Sequence, residues 1–505
     1  MPAFQDAGPD AGPVIEVNAA ALVAFVAYLL ILVGIGFWSA RFSSGGLSEF
    51  FLGGRKMHRF VVALSAVVSG RSAWLLLGVT GMAFTMGAPA LWAVAGYTAV
   101  EALLFLYYAP RLRRFSEHHD SITVPDFFAD RFNDQGVLRV TLALVILVFM
   151  VAYVAAQFVA GGKAIGTSFG LSPSTGILIT AGIVLVYTVL GGFMAVSLTD
   201  TVQATFMLFA LLALPWIAAA DFGGWGAVMT QLDALEPGLP DPFAIAAGVG
   251  IGFVAIGLGS PGSPHIIVRY MSIADAKQLR FAAVVGTLWN ILMGAGAVLI
   301  GMIGRAFIHN VELLPRADPE NIFPVLAQQH LPAAIFGVVV AAIFAAIMST
   351  ADSQLLVAAS TVVRDVYEKV VRKGRPLPQR VMVVLSRLVV TGLVLVALVL
   401  GWLADDLVFW LVLFAWAGLG AAIGPTSILA LFWRRTTRAG VLAGLVTGTL
   451  TTFVWYLTPA LKDRLYELIP AFAAGLVATV LVSLLTRPPE GVDRMFRTMT
   501  DEEDA

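Results

Sequence analysis

Gly257-Leu-Gly-Ser-Pro-Gly-Ser-Pro-His265 lies inside a long apolar run, directly after Gly248-Val-Gly-Ile-Gly252. Proline removes a helix donor and clashes with the preceding turn, and glycine weakens the helix further, so this run cannot be one straight helix. A second apolar run is interrupted by Ser69-Gly70-Arg71-Ser72, followed by Gly78 and Gly81. Irregular backbone at bilayer depth survives only where it is buried in protein or lines a cavity. The two runs are the second and the seventh along the chain, so each opens a set of five. Interrupted helices in corresponding positions point to a transporter with inverted repeats and a binding site near the midplane. Close packing of glycine-rich helices is the competing reading, and the symmetry rests on spacing alone.

The rest of the composition agrees with a bilayer. Of 505 residues, 59% are hydrophobic and 12% charged, and the mean hydropathy is +0.88. A soluble chain of this length is less apolar. Runs of about twenty apolar residues give about thirteen spans, an all-α polytopic membrane protein. The third is expected at 90–110, the fifth at 172–191 and the ninth at 331–362. The organisation follows: an extracytoplasmic tail over 1–16, a leading helix over 17–38, core repeats over about 60–218 and 241–433, trailing helices over 438–487, and a cytoplasmic tail over 488–505. The first run is long enough to span and lacks the basic flank of a signal peptide.

Lys and Arg collect after most odd-numbered spans: Arg41, Arg55 and Lys56, then Arg111, Arg113, Arg114 and Arg131, then Arg364, Lys369 and Arg372. Residues 219–241 instead carry acids and no Lys or Arg. The positive-inside rule therefore puts the N-terminus outside and the C-terminus in the cytoplasm, in a cytoplasmic (inner) membrane. The net charge of −1 gives no support for nucleic-acid binding, and zero cysteines exclude disulfide and thiol chemistry. No convergent nucleophile, base or metal set appears, so an enzyme is not expected, and nothing speaks to the oligomeric state. The short tail leaves no room for a signalling domain, which weighs against a membrane solute sensor.

Phe344-Ala-Ala-Ile-Met-Ser-Thr-Ala-Asp-Ser-Gln-Leu355 is the polar exception in the ninth run. Ser349, Thr350 and Asp352 at membrane depth need partners and mark a functional site, or else polar helix packing. Ala341, Ala342, Ala345 and Ala346 before them let another helix come close.

Several longer stretches carry a resemblance. Ala63-Leu-Ser-Ala66 with Ser72-Ala-Trp-Leu-Leu76, Thr123-Val-Pro-Asp-Phe-Phe-Ala-Asp-Arg-Phe132, Tyr187-Thr-Val-Leu-Gly-Gly-Phe-Met-Ala-Val-Ser-Leu-Thr-Asp-Thr-Val-Gln-Ala204, Pro264-His-Ile-Ile-Val-Arg-Tyr-Met271, Met348-Ser-Thr350 and Ala415-Trp-Ala-Gly-Leu-Gly-Ala-Ala-Ile-Gly-Pro425 occur in order along the chain. In these the chain resembles the sodium:solute symporter family, closest to its sodium/proline symporter branch. The resemblance implies a LeuT-type five-plus-five inverted repeat, with one leading and two trailing helices, and solute import driven by a sodium gradient. It also implies a sodium site from the backbone of Val68 and Arg71, the carbonyl of Ala346, and the side chains of Ser349 and Thr350, with Asp200 beside it. Na+ is the implied coupling ion, and no cofactor is implied.

Two departures qualify these expectations. The proline branch carries an aspartate and then a methionine where this chain has Gly70 and Arg71. A guanidinium at bilayer depth needs a partner, and Asp200 and Asp352 are the candidates by family geometry. If Arg71 enters the sodium site it repels sodium, and transport becomes sodium-independent, proton-coupled through Asp200 or Asp352, or an exchange. The alternative keeps only its carbonyl at the site, with the side chain directed toward a watery cytoplasmic vestibule. In the solute pocket Ser72, Trp74 and Tyr153 match the branch, but Ile256 and Ser260 stand where it has aromatic walls. A small organic solute, an amino acid or another small carboxylate, is expected; proline itself is not, because a flat ring loses its stacking surfaces.

Other polar residues receive plainer readings. Glu101 is a relay or a structural acid, and Lys163 snorkels to the outer interface. His265 and Arg269 read as cytoplasmic gate or loop anchors, and Trp416 as an interface or packing residue.

Overall fold

The computed structural model describes residues 18–40, 46–134, 136–375, 377–404, 407–462 and 464–500. The expected tail over 1–16, Arg41 and the last five residues of the cytoplasmic tail lie outside that set. Among the described residues eleven helices are long and apolar enough to cross a membrane; a bent helix pair adds a twelfth, and the shorter Pro173–Val189 completes the expected set. In chain order they are α1 (Ala19–Trp38), α2 (Arg59–Met86), α3 (Ala88–His118), α4 (Val137–Phe169), α5 (Pro173–Val189), α6 (Gly192–Phe222), α7 (Ala247–Gly262 and Pro264–Ser272), α8 (Ala276–Phe307), α9 (Ala333–Val371), α10 (Gln379–Trp402), α11 (Val408–Phe432), α12 (Arg438–Tyr456) and α13 (Leu468–Leu485).

Burial divides these helices into an inner and an outer group. α2, α4, α9 and α11 are mostly buried, with small Gly, Ala, Ser and Thr at many of their contacts, while α1, α10, α12 and α13 leave Leu, Val and Phe facing outward. Lipid tails solvate those apolar flanks as well as a core would, so close packing rather than apolarity selects the inner helices. The central α9 packs against α1, α2, α4 and α6. Ala341, Ala342, Ala345 and Ala346 are fully buried in these contacts, as their small size predicts.

Both predicted interruptions are real. In α2 Ser72 takes φ 51° and ψ −171°, and Trp74–Val79 that follows is wound as a π-helix. A serine in this region is strained and persists only because its surroundings hold it there. In α7 the segment Ile256–Gly262 tightens into a 3-10 turn containing Pro261, and the chain bends by 54° before Pro264–Ser272. Gly259 is required here because the Trp416 indole lies against its Cα, where any Cβ would overlap the ring. A third break, at Gly192 (φ 66°), separates α5 from α6.

Helix ends differ from the hydropathy limits. The third span runs to His118 rather than 110, and the ninth to Val371 rather than 362. Hydropathy ends where charges begin, but helical hydrogen bonding continues past the bilayer, carrying Arg113 on α3 and Arg364 and Asp365 on α9 into a polar layer.

Candidate functional site

The breaks in α2 and α7 gather the polar groups of the core. Where α2 unwinds, its carbonyls turn toward α9. Ser349 Oγ donates to the Ala346 carbonyl at 3.1 Å and reaches the Val68 carbonyl at 3.4 Å. Thr350 Oγ1 donates to the carbonyl of Ser69 at 3.0 Å. Val68, Ala346, Ser349 and Thr350 therefore meet at one α2–α9 contact, an oxygen-rich set suited to a hard cation. The Arg71 carbonyl instead accepts the N–H of Trp74, within the turn that rounds the kink.

Asp200 and Asp352, both fully buried, lie beside this contact. Asp200 Oδ2 accepts from Ser65 Oγ at 2.6 Å and from Ser69 Oγ at 3.3 Å. Ser353 links the two acids to α2: its Oγ lies 3.3 Å from Asp352 Oδ1 and 3.3 Å from Ser69 Oγ. Asp200 Oδ1 and Asp352 Oδ2 have no hydrogen-bond partner among the described residues.

The basic partner of these acids is not Arg71. Arg269, on the second half of α7, places its guanidinium 3.3 Å from Asp200 and donates to Ser65 Oγ at 2.9 Å and to Ser353 Oγ. It is 1% exposed, so it is an interior residue and not a loop anchor. The bend in α7 turns its second half back into the bundle, which hydropathy along the chain does not reveal.

Arg71 points the other way. Its side chain crosses to α3 and forms an ion pair with Glu101, the two being 1% and 2% exposed. Neither expected partner, Asp200 or Asp352, holds it, and it does not face a watery vestibule. Tyr97 lies under the guanidinium, its ring centre 3.7 Å from the guanidinium carbon. Glu101 also accepts from Ser260 Oγ at 3.2 Å and from Asn290 Nδ2 at 2.7 Å. A Cβ added at Gly70 would lie 2.8 Å from Ile266 Cδ1 and 3.6 Å from Glu101 Oε1, so a side chain at position 70 would crowd Ile266 and stand next to this carboxylate.

The pocket residues share this neighbourhood. Tyr153 OH donates to Ser72 Oγ at 3.3 Å. Trp74 stacks on Phe409 with ring centres 5.8 Å apart and meets Tyr97 edge-on at 5.9 Å. The Trp416 indole N–H donates to the Ile256 carbonyl at 2.7 Å, and its ring lies 6.5 Å from that of Tyr153. The Trp416 ring thus packs onto α7 at Gly259, beside Tyr153. Beyond Ile256 a cavity of about 160 Å³ opens between α7 and the α12–α13 connection, lined by Trp410, Tyr466 and Glu467.

Two further networks tie the ends of the bundle. At the end carrying most of the arginines, Asp126 pairs with Arg139 at 2.5 Å and Arg364 at 3.4 Å, and Asp365 pairs with Arg139 at 2.7 Å. Burial works against the charge on Asp126, yet Arg139 and Arg364 hold its carboxyl below the usual carboxylate range. At the other end Lys163 binds Asp318 and Glu320 at 2.7 and 2.5 Å, and Glu320 accepts the N–H groups of Val408 and Phe409 at the start of α11. Lys163 is therefore paired rather than free at the interface. Burial pushes the Glu320 carboxyl up.

Comparison with known proteins places this geometry. The model of the sodium:solute symporter family matches residues 50–448. The chain belongs to the sodium:solute symporter family. The High-affinity proline transporter PutP of Bacillus subtilis (strain 168) is 41% identical over 92% of this chain and 98% of its own length. The Sodium/proline symporter of Staphylococcus aureus (strain JH9) is 38% identical over 94% of each. Among solved structures, a Na+-coupled sialic acid symporter in a substrate-bound outward-open state superposes with TM-score 0.78 at 18% identity, over 94% of this chain and 99% of that one. A nucleobase-cation-symport-1 family transporter in a closed conformation gives TM-score 0.56 at 14% identity, over 89% and 98%. The fold is thus the LeuT-type inverted repeat, and the family member is a multi-pass membrane protein and not an enzyme. It is a secondary active importer of a small solute with Na+ as the coupling ion.

Glu101, Arg269 and Trp416 are the site residues that sequence reasoning undervalued. For Glu101 a signal existed: one acid inside α3 and one arginine inside α2 are each costly alone and inexpensive together.

Proposed function

We propose that this symporter imports a small amino acid, L-proline first among the candidates, from the outside into the cytoplasm together with sodium. The observation that carries the reading is the meeting of Ser349 and Thr350 with the carbonyls of Val68 and Ser69, three to four residues before the break that presents Ser72 to Tyr153. Ion and solute sites built on the same unwound turn are coupled by construction, since ordering one orders the other. Sodium takes Val68, Ala346, Ser349 and Thr350, with the Arg71 carbonyl joining when the turn adjusts. The solute lies against Ser72, Trp74, Tyr153, Ile256 and Ser260. Proline rises above its standing on sequence because relatives at 38–41% identity carry proline in their names.

Rocking of the core repeats, about 60–218 against 241–433, gives alternating access in this reading. The protein sits in the cytoplasmic membrane with its N-terminus outside and C-terminus inside. Support comes from the clustering of Arg55, Arg113, Arg131 and Arg364 at one end of the bundle, where each bonds to a neighbouring segment. Uptake of radiolabelled L-proline into proteoliposomes tests the proposal. Accumulation with an inward sodium gradient, absent with choline, is expected; uptake indifferent to sodium would refute it.

A further inference from the structure

The Arg71–Glu101 pair is more than a neutralised charge. It lies between the first halves of both broken helices, held by α2, α3, α7 and α8 through Arg71, Glu101, Ser260 and Asn290. Buried ion pairs add little stability over an apolar pair, so the burial of two charges here calls for a use. Around it the structure leaves polar side-chain atoms without a protein partner among the described residues: Arg71 Nε, Trp74 Nε1 and Gln157 Nε2 as N–H donors, and Asn290 Oδ1 as an acceptor. All belong to residues at least nine-tenths buried, where an unpaired polar atom is costly. These donors are attached to the α2 break: Gln157 holds the Ala73 N–H through its Oε1 at 3.0 Å, and Trp74 lies edge-on to the Tyr97 ring beneath Arg71. Arg71, Trp74 and Gln157 thus offer donors, and Glu101 with the Asn290 amide oxygen offers acceptors, around one buried ion pair.

That arrangement is the complement of a zwitterion. We propose that Arg71 and Glu101 form a clamp for the two charged ends of one α-amino acid. The internal ion pair opens, the Arg71 guanidinium takes the solute carboxylate, and Glu101 takes its ammonium group. One internal pair becomes two pairs with the solute, so the site gains contacts without a change in net charge, and the energy of the sodium gradient stays with the Ser349–Thr350 site. A solute with only one of the two charges breaks the internal pair and leaves half of it buried and unmatched. The clamp rests on the proposed import of an amino acid and adds how the solute is recognised.

Three probes separate the charges: L-proline, L-prolinamide with its carboxylate masked, and cyclopentanecarboxylate without an amine. Their affinities are measured on the full chain in nanodiscs with saturating sodium. The wild type is expected to prefer L-proline over either analogue by about a hundredfold or more, since a site built to bond a group rejects the analogue lacking it. Arg71→Met should lose the preference over prolinamide while keeping that over cyclopentanecarboxylate, and Glu101→Gln should do the reverse. The double variant Arg71→Met/Glu101→Gln buries no charge and folds without either partner, and it should lose both preferences. If the wild type binds none of the probes, the amino-acid reading falls and the clamp with it. Wild-type binding of L-proline, with both preferences unchanged in the double variant, overturns the clamp alone.

Discussion

Replacing Ser349 and Thr350 together with alanine should separate two effects that the structure keeps distinct, folding and sodium binding. Thr350 Oγ1 is the partner of the Ser69 carbonyl at 3.0 Å. Its loss leaves a buried acceptor unpaired, at a cost of about 1–3 kcal/mol. Ser349 Oγ donates within its own helix to Ala346 at 3.1 Å and only weakly to Val68 at 3.4 Å, so its removal costs about 0.5–1.5 kcal/mol. The double variant should therefore melt below the wild type in choline chloride while remaining folded. Sodium adds a separate increment: a ligand that binds only the native state at a hundred times its Kd stabilises by about 2.7 kcal/mol. Thermal unfolding in detergent, in sodium, lithium, potassium and choline chloride at matched ionic strength, reads both. The wild type should show a saturable upward shift in sodium, and the double variant should show none while keeping its lowered baseline in choline. An undiminished sodium shift in the double variant would refute the assignment, since the hydroxyls would then be packing groups and not ligands.

A stability cycle on the same apparatus checks the Arg71–Glu101 pair. Arg71→Met and Glu101→Gln should each cost about 3–5 kcal/mol by leaving one buried charge, and the double variant should recover most of the loss; additive losses would show that the two do not interact. Arg269→Met should destabilise in the same way, and Asp200→Asn added to it should restore part of the loss, again read as a melting temperature. Gly259→Ala forces a methyl group into the Trp416 indole, whose N–H is fixed on Ile256, so uptake should fall sharply with the protein still inserted in the membrane; normal transport would mean the α7–α11 contact is slack. Asp126→Asn removes the acceptor shared by Arg139 and Arg364. Because the folded Asp126 titrates below its unfolded value, its contribution is complete above the ordinary carboxylate pKa of about 4 and vanishes as pH falls through the lower folded value. The gap in melting temperature between wild type and Asp126→Asn should thus be constant near neutrality and close in acid.

The architecture was legible because it is written in backbone chemistry. Pro261 and the glycines around it work against a continuous straight α-helix, and twenty-residue apolar runs have one solvent. The hydroxyl pair of α9 was legible for a related reason: Ser349 and Thr350 are anomalous where they stand, whatever their neighbours. Pairings across helices were not. Glu101, Asp200 and Asp352 are all buried acids, and nothing local tells which one an arginine will meet. The choice depends on the rotation of each helix about its axis, which the packing of α2 against α8 and α9 sets. Arg269 was misread for a geometric reason, since the 54° bend in α7 carries the residues after Pro264 back into the core. Trp416 was discounted because tryptophans near span ends usually mark the interface, whereas α11 places this one at a glycine that admits no side chain.

The two buried arginines have opposite consequences for sodium. Arg71 is matched by Glu101 on the far side of α2, so it contributes little field at Ser349 and Thr350. Arg269 is close to those hydroxyls, bonded to Ser353, which is one turn along the helix from Ser349. A fixed cation there would expel sodium if it stood alone, but it faces two carboxyls, Asp200 and Asp352, and one oxygen of each lacks a protein partner among the described residues. The guanidinium pairs with Asp200, and the oxygen of each acid that has no partner among the described residues is left to meet the cation proposed at the hydroxyl pair. Asp200 lies on α6 and Arg269 on α7, the last helix of one five-helix set and the first of the other. Any motion of one set against the other therefore changes the distance between this guanidinium and its acid, and with it the field felt at the hydroxyl pair. With sodium at the hydroxyl pair, as proposed above, its affinity would follow the relative position of the two halves, which is the coupling a symporter needs.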